Sequence, residues 1–143
     1  MKTIVEKIYW SDASTKYRLP LFRSGVSAGF PSPAADYEEG KLDLNKHLVR
    51  NPAATFFVRV NGDSMIGAGI HNGDLLVVDR SLEPVDKSVV IAVLSGELTV
   101  KRIRISKGKV TLEPENENYP ARQITESVEF EVWGVVTNVI HAL

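Results

Sequence analysis

Residues 88–105 read SVVIAVLSGELTVKRIRI, two β-rich runs joined by the pair Ser95-Gly96. Valine, isoleucine and threonine favour strands, and a short turn containing glycine joins antiparallel neighbours. A helical crossover, which a parallel pair of strands needs, has no room between the two runs. This stretch therefore predicts a hairpin and a fold built from antiparallel strands.

Four further β-rich runs surround this hairpin. They read TFFVRV at 55–60, LLVVD at 75–79, GKVTLEP at 108–114 and VEFEVWGVVTNVI at 128–140. Turn signals separate the runs: NGD at 61–63 and again at 72–74, KG at 107–108, and the two prolines Pro114 and Pro120. The pattern predicts a mainly β fold, as an antiparallel sheet, a sandwich or a partly closed barrel.

The N-terminal part of the chain has a different composition. Residues 24–40, SGVSAGFPSPAADYEEG, combine small residues with two prolines and predict an extended, exposed linker. Asp43 follows as a helix cap, with apolar residues behind it at helical spacing, and Asn51-Pro52 ends the pattern. We therefore expect one short helix of about two turns and an extended N-terminal arm.

Composition excludes several classes of protein. The 143 residues suit one domain, and 43% of them are hydrophobic. The absence of cysteine excludes disulfides, thiolate nucleophiles and cysteine-bound metals. With 17 basic and 18 acidic side chains, the chain lacks the basic excess that direct, specific DNA binding requires. Residues 1–10 have no apolar segment of a targeting signal, and no apolar run reaches membrane-spanning length. We therefore expect a cytoplasmic protein.

Metal and cofactor motifs are missing from the sequence. His47, His71 and His141 are far apart along the chain, and none forms a metal-ligand motif with carboxylates at fixed spacing. No glycine-rich phosphate loop lies between a strand and a helix. We therefore expect neither a metal nor a cofactor.

Ser64 and Lys101 are the remaining candidates for chemistry. Gly62 permits a sharp turn before Ser64, which would present the serine on an exposed turn; the alternative is a structural serine that bonds nearby backbone. Lys101 shares a strand face with Ile103 and Ile105. It is either an edge-strand or solvent-reaching lysine, or a buried lysine with a lowered pKa that can act as a general base.

Five motifs together resemble the LexA-like self-cleaving serine proteases, the S24 peptidases. They are AGFPSP at 28–33, GDSM at 62–65, GDLLVVD at 73–79, TVK at 99–101 and VWGVV at 132–136. The intervals from 28 to 64 and from 64 to 101 resemble the family's spacing from scissile bond to serine to lysine. Only 28 residues precede the expected cleavage site, too few for a repressor's helix-turn-helix domain. The resemblance therefore points to the UmuD branch, and alanine at 28 resembles the plasmid-borne members.

The resemblance implies a role for each matched residue. Ser64 would be the nucleophile and Lys101, as a neutral amine, the base. The scissile bond would join Ala28 and Gly29, so that residues 1–28 form an arm removed by self-cleavage and residues 29–143 form the peptidase domain. The backbone amides of residues from Asp63 to Met65 would stabilise the oxyanion.

The resemblance also implies partners. A RecA filament on single-stranded DNA would stimulate cleavage in the SOS response, and the trimmed homodimer would join a UmuC-type Y-family DNA polymerase for error-prone translesion synthesis. One alternative is a non-catalytic β-rich binding module that acts only as a polymerase partner. A second alternative, a signal-peptidase-like processing enzyme, would act on exported proteins at a membrane, and the missing anchor counts against it.

Overall fold

The computed structural model describes residues 2–12, 14, 18–22 and 38–143. Within these ranges the chain forms ten strands and one α-helix. The strands are β1 Ile4–Trp10, β2 Arg18–Phe22, β3 Glu38–Asp43, β4 Thr55–Asn61, β5 Leu75–Asp79, β6 Val89–Leu94, β7 Glu97–Ser106, β8 Lys109–Glu113, β9 Arg122–Ile124 and β10 Phe130–Ile140, and the helix is α1 Leu44–Leu48. Short 3₁₀ turns lie at Pro52–Ala54 and Ile66–Ala68.

Six antiparallel strands close into a barrel. Their order is β1-β4-β5-β10-β6-β7, and β1 also pairs with β7 through Ile4 and Thr99 to complete the ring. β8 and β9 extend the sheet beyond β7, while β2 and β3 form a separate two-stranded sheet. The expected mainly β, barrel-like fold is confirmed.

The core fills the barrel with residues from alternating strand positions. β4 buries Phe56, Val58 and Val60 while the residues between them are partly exposed, because successive side chains point to opposite faces of a strand. Met65 and Ile70, from the loop after β4, also join this cluster. The loop that carries Ser64 is therefore packed into the core and does not stand out from it.

The predicted hairpin turns have the backbone that their sequences require. Ser95 and Gly96 both have positive φ, at 50° and 80°, as do Lys107 and Gly108, at 51° and 74°. Two successive residues with positive φ match the right-handed twist of the flanking strands. These turns fix the registers of β6 with β7 and of β7 with β8.

The N-terminal region differs from the sequence-based expectations. Residues 38–40, predicted to be linker, belong to β3 and pair with β2. The strands β1, β2, β3 and β9 were not predicted. The helix begins after Asp43, as predicted, and the Asp43 carboxylate accepts a hydrogen bond from the Asn45 amide, but the helix spans only five residues and is shorter than the predicted two turns. No helix in the described part of the chain is long and apolar enough to cross a membrane.

Candidate active site

Ser64 lies on the turn between β4 and the 3₁₀ turn at Ile66–Ala68, and its side chain is fully buried. Two backbone hydrogen bonds hold this turn against Glu115: its amide donates to the Ser64 carbonyl at 2.8 Å, and its carbonyl accepts from Gly67 N–H at 2.7 Å. The expectation of a serine on an exposed turn is therefore wrong in respect of exposure. Neighbouring segments pack over the turn and bury the Ser64 side chain, and the local sequence around Ser64 does not indicate this packing.

The start of the chain covers Ser64. The backbone N–H of Thr3 donates a 2.7 Å hydrogen bond to Ser64 Oγ. The Thr3 carbonyl accepts a 2.7 Å hydrogen bond from Thr99 Oγ1 and a longer one, at 3.5 Å, from the Val100 amide. An extended segment thus lies between the serine and β7. Sequence reasoning missed Thr3, because nothing in residues 2–10 indicates which strand they join.

Lys101 lies on β7, two residues beyond Thr99, and is only 9% exposed. Ile103 is buried on the same face, as predicted, while Ile105 lies near the strand's end and is exposed. Burial is the main cause that lowers the pKa of Lys101, and the Lys2 ammonium lowers this pKa further, whereas the Glu97 carboxylate raises it. A lysine with a lowered pKa reaches its neutral, proton-accepting form at lower pH.

Residues 2 and 3 lie beside both candidate residues. Thr3 contacts the serine, and Lys2 lines a cleft of about 370 Å³ together with Lys101, Leu112 and Tyr119. The Lys2 ammonium forms an ion pair with Glu97 at 2.7 Å at the start of β7. The segment of Lys2 and Thr3 therefore contacts the buried Ser64 hydroxyl through Thr3 and shares a cleft with the buried Lys101 through Lys2.

Asp63, the residue before Ser64, is held by the loop after β8. Tyr119 donates a 2.6 Å hydrogen bond to the Asp63 carboxylate, and the Asn116 side chain donates to the Asp63 carbonyl at 3.0 Å. The Tyr119 hydrogen bond is the main cause that lowers the pKa of Asp63. Met65 is fully buried. The backbone from Asp63 to Met65, where the resemblance places the oxyanion donors, is therefore held from both sides. Ala28 and Gly29 lie outside the described residues.

Two of the three histidines are neighbours in space. His71 and His141 lie with their ring centroids 4.9 Å apart, and both approach the buried Asp74 carboxylate. Sequence reasoning missed this cluster because His141 is 67 residues from Asp74. The pairing of Ile140 with Leu75 brings the next residue, His141, beside Asp74, but that register is not visible in the sequence.

Comparison with known proteins assigns the class. A family model described as peptidase S24-like matches residues 20–137, so the chain belongs to that family. The match extends from β2 to β10 and includes both Ser64 and Lys101.

Individual relatives are similar over most of the chain. Protein SamA of Salmonella typhimurium is 51% identical over 85% of this chain and 84% of its own length. Protein MucA of Escherichia coli is 45% identical over 90% of this chain and 88% of its own. Protein ImpA of E. coli is 44% identical over 99% and 96%. The expected place among UmuD-like members of the LexA-like peptidases, near the plasmid-borne ones, is confirmed.

Proposed function

We propose that this chain is a self-cleaving serine endopeptidase in which Ser64 and Lys101 cut the bond between Ala28 and Gly29. One observation supports this proposal above the others: an extended backbone is hydrogen-bonded to Ser64 Oγ and anchored on the strand that carries a buried lysine. A cleft that already takes an extended chain at a buried serine suits peptide-bond chemistry better than passive structural support.

The proposed chemistry uses no cofactor. Neutral Lys101 Nζ takes the proton from Ser64 Oγ as the oxygen attacks the Ala28 carbonyl carbon. Backbone amides of residues between Asp63 and Met65 stabilise the resulting oxyanion. The C–N bond then breaks, and the Lys101 ammonium returns the proton to the departing Gly29 amine. Water subsequently hydrolyses the Ala28 ester and releases Ser64, again with Lys101 as base.

The proposed substrate is the chain's own arm. Two small residues, alanine and glycine, let an extended backbone approach a buried serine closely, and the nearby prolines favour extended geometry. Residues 1–28, which include the barrel strand β1, would be released, and residues 29–143 would be retained as a homodimer in which the place of β1 between β4 and β7 is open.

The proposed cellular role follows from the UmuD-like relatives. A RecA filament on single-stranded DNA would stimulate cleavage in the SOS response, and the trimmed dimer would serve a UmuC-type Y-family polymerase in translesion synthesis after DNA damage.

Intact-mass measurement tests the proposal. The purified chain is incubated at alkaline pH alone, and near neutrality with RecA, nucleotide and single-stranded DNA. We expect one cut, after Ala28, in both conditions. The variant Gly29→Lys should remain uncut with its fold and dimer intact, because a long side chain does not fit beside a buried serine. No cut, or a cut at another bond, would favour the non-catalytic binding module.

A further inference from the structure

Asp74 is a buried carboxylate whose ion-pair partners are imidazoles. Its side chain is 3% exposed, and within the described ranges its ion pairs are with His71 and His141. Arg59 lies nearby, but its guanidinium donates to the Gly73 carbonyl. A buried negative charge requires a compensating cation or several hydrogen bonds. Both imidazoles therefore present a ring nitrogen to the same carboxylate.

The carboxylate is held firmly in place. Asp74 Oδ2 accepts a 2.7 Å hydrogen bond from the His71 amide, and Oδ1 lies 2.5 Å from His141 Nδ1. The turn itself is tied to β4, because Val60 N–H donates to the Asp74 carbonyl at 3.0 Å. Both histidines are about half exposed, with side-chain exposures of 51% and 46%, so their rings can rotate towards an incoming ion.

We propose that His71, Asp74 and His141 form a binding site for a divalent transition-metal ion of the zinc type. Their ligand atoms lie within 4.8 Å of one another. Ligands on a tetrahedral zinc ion, at bonds of about 2.0–2.2 Å, lie roughly 3.3 Å apart, a distance that small rotations of the two exposed rings can reach. Two imidazoles and one carboxylate form a common protein ligand set for zinc, with water as the fourth ligand.

Equilibrium dialysis of the untagged full chain against Zn²⁺ tests the site, and the absorption bands of tetrahedral Co²⁺ report its geometry. We expect one ion per chain with a dissociation constant on the order of micromolar. His71→Ala and His141→Ala should each weaken binding about tenfold or more, while the control His47→Ala should not. Absence of binding, or equal binding by all three variants, would overturn the proposal.

A different observation concerns the segment over Ser64. The peptide bond between Lys2 and Thr3 occupies the place at Ser64 Oγ that a scissile bond would need. Its N–H points at the hydroxyl, so the oxygen lies near the plane of the peptide. Nucleophilic attack instead requires approach from above the carbonyl carbon. The contact therefore blocks the serine without presenting a cleavable bond.

The contact between Thr3 and Ser64 leaves one polar atom of Thr3 without a hydrogen bond. The hydroxyl of Thr3 is buried without a hydrogen-bond partner, the one such side-chain atom in the part of the chain that the structure describes. Leaving a buried hydroxyl unpaired costs free energy that a valine of the same shape would not cost. The backbone hydrogen bonds of Thr3 thus stabilise the bound segment, and its unpaired hydroxyl destabilises it.

We infer that Lys2 and Thr3, the segment just before β1, form an inhibitory strand that must leave Ser64 before the segment around Ala28 can enter. This inference rests on the proposed function, since it names the regulation of that same site. Release of the strand is a separate step that precedes the chemistry, and any partner that stimulates cleavage can act on it.

Two substitutions at one position test the inference in opposite directions. Thr3→Val keeps the N–H and removes the unpaired hydroxyl, so it should slow self-cleavage at alkaline pH. Thr3→Pro removes the N–H that bonds Ser64, so it should accelerate cleavage. Each change should be about fivefold, the ratio that corresponds to one hydrogen bond. Equal rates for both variants and the unchanged chain would overturn the inference.

Labelling of Ser64 by a serine-directed fluorophosphonate provides a readout that does not depend on cleavage. We expect faster labelling of Thr3→Pro and slower labelling of Thr3→Val. If no variant cleaves but labelling follows this order, the proposed self-cleavage fails and the inhibitory strand remains supported. If all cleave after Ala28 and label at one rate, the strand inference alone fails.

Discussion

The phenol of Tyr119 donates a 2.6 Å hydrogen bond to the carboxylate of Asp63, the residue immediately before Ser64. The bond links the loop after β8 to the turn that carries the candidate nucleophile. It lowers the pKa of the Asp63 carboxyl and raises the pKa of the Tyr119 phenol, because the hydrogen bond stabilises the ionised carboxylate as acceptor and the protonated phenol as donor. The position of Ser64 therefore depends on a residue 55 positions further along the chain.

Tyr119→Phe should slow self-cleavage about fivefold, the ratio expected for one lost hydrogen bond that orients the turn. The substitution keeps the aromatic ring and removes only the hydroxyl, so the fold should be retained. Fragment formation at a fixed alkaline pH measures the effect. Tyr9→Phe, which removes a phenol hydroxyl on β1, serves as the control. Equal rates for both variants would show that the Tyr119 hydrogen bond does not position Ser64.

Ser64→Ala should abolish self-cleavage and leave a folded chain. Because Ser64 is buried and accepts the Thr3 N–H, the change also leaves a buried donor unpaired. We therefore expect a loss of about 1–3 kcal/mol in the free energy of unfolding, measured by denaturant titration. A fragment beginning at Gly29 from this variant would show that another residue is the nucleophile.

The sequence predicted six of the seven strands from Thr55 onward, all except β9, because each of the six is a β-rich run bounded by a turn signal. At Ser95-Gly96 and Lys107-Gly108 the turn chemistry is local, so the hairpins follow directly. β1 could not be predicted in the same way. Its mixture of apolar and charged residues lacks flanking turns, and its pairings with β4 and β7, the second of which closes the ring, span a large separation in sequence.

In the candidate site, too, the features with a local sequence signal could be predicted, and those that depend on strand pairing could not. The burial of Lys101 was one of the open interpretations of its place on an apolar strand face, because side-chain parity is a local property. The burial of Ser64 under Thr3 and the meeting of His71 with His141 were not predictable. Both depend on which distant strands pair and in what register, and a sequence without that register contains no local signal for them.

Gly67→Ala should reduce both stability and cleavage. A Cβ at this position would lie 2.7 Å from the Glu115 carbonyl oxygen, the same atom that accepts the Gly67 N–H. Backbone must therefore shift beside Ser64, at a cost of about 1–3 kcal/mol. Thermal unfolding and fragment formation measure the two effects.

Gly108→Ala is the matched control for this substitution. Its added Cβ meets nothing within 4 Å, although its φ of +74° makes the alanine strained. The control should lose stability without a change in the cleavage rate of the folded chain. If Gly67→Ala cleaves as fast as Gly108→Ala, the contact with Glu115 does not matter for the site.

The pH dependence of self-cleavage tests the role of Lys101. Only the neutral amine can accept the Ser64 proton, so the rate should rise with pH through the pKa of the folded chain and then level off. Burial lowers that pKa, which moves the rise to lower pH than an exposed lysine would give. Lys101→Arg should be inactive throughout, because guanidinium stays protonated. A flat profile would exclude a lysine base.

Two charges near Lys101 give the sharpest form of this prediction. Lys2 lowers the pKa of Lys101 and Glu97 raises it, while Tyr119 and Arg122 line the same cleft. Lys2→Ala should therefore shift the midpoint of the rate curve to higher pH, and Glu97→Gln should shift it to lower pH. Both substitutions break the same ion pair between Lys2 and Glu97, so any loosening of the N-terminal strand is common to the two variants. A general effect on strand release would change the cleavage rates of both variants in the same direction. Opposite shifts of the midpoint require a titrating base that is close to both the Lys2 and the Glu97 charge. Midpoints that move in the same direction, or not at all, would assign the pH dependence to a group other than Lys101.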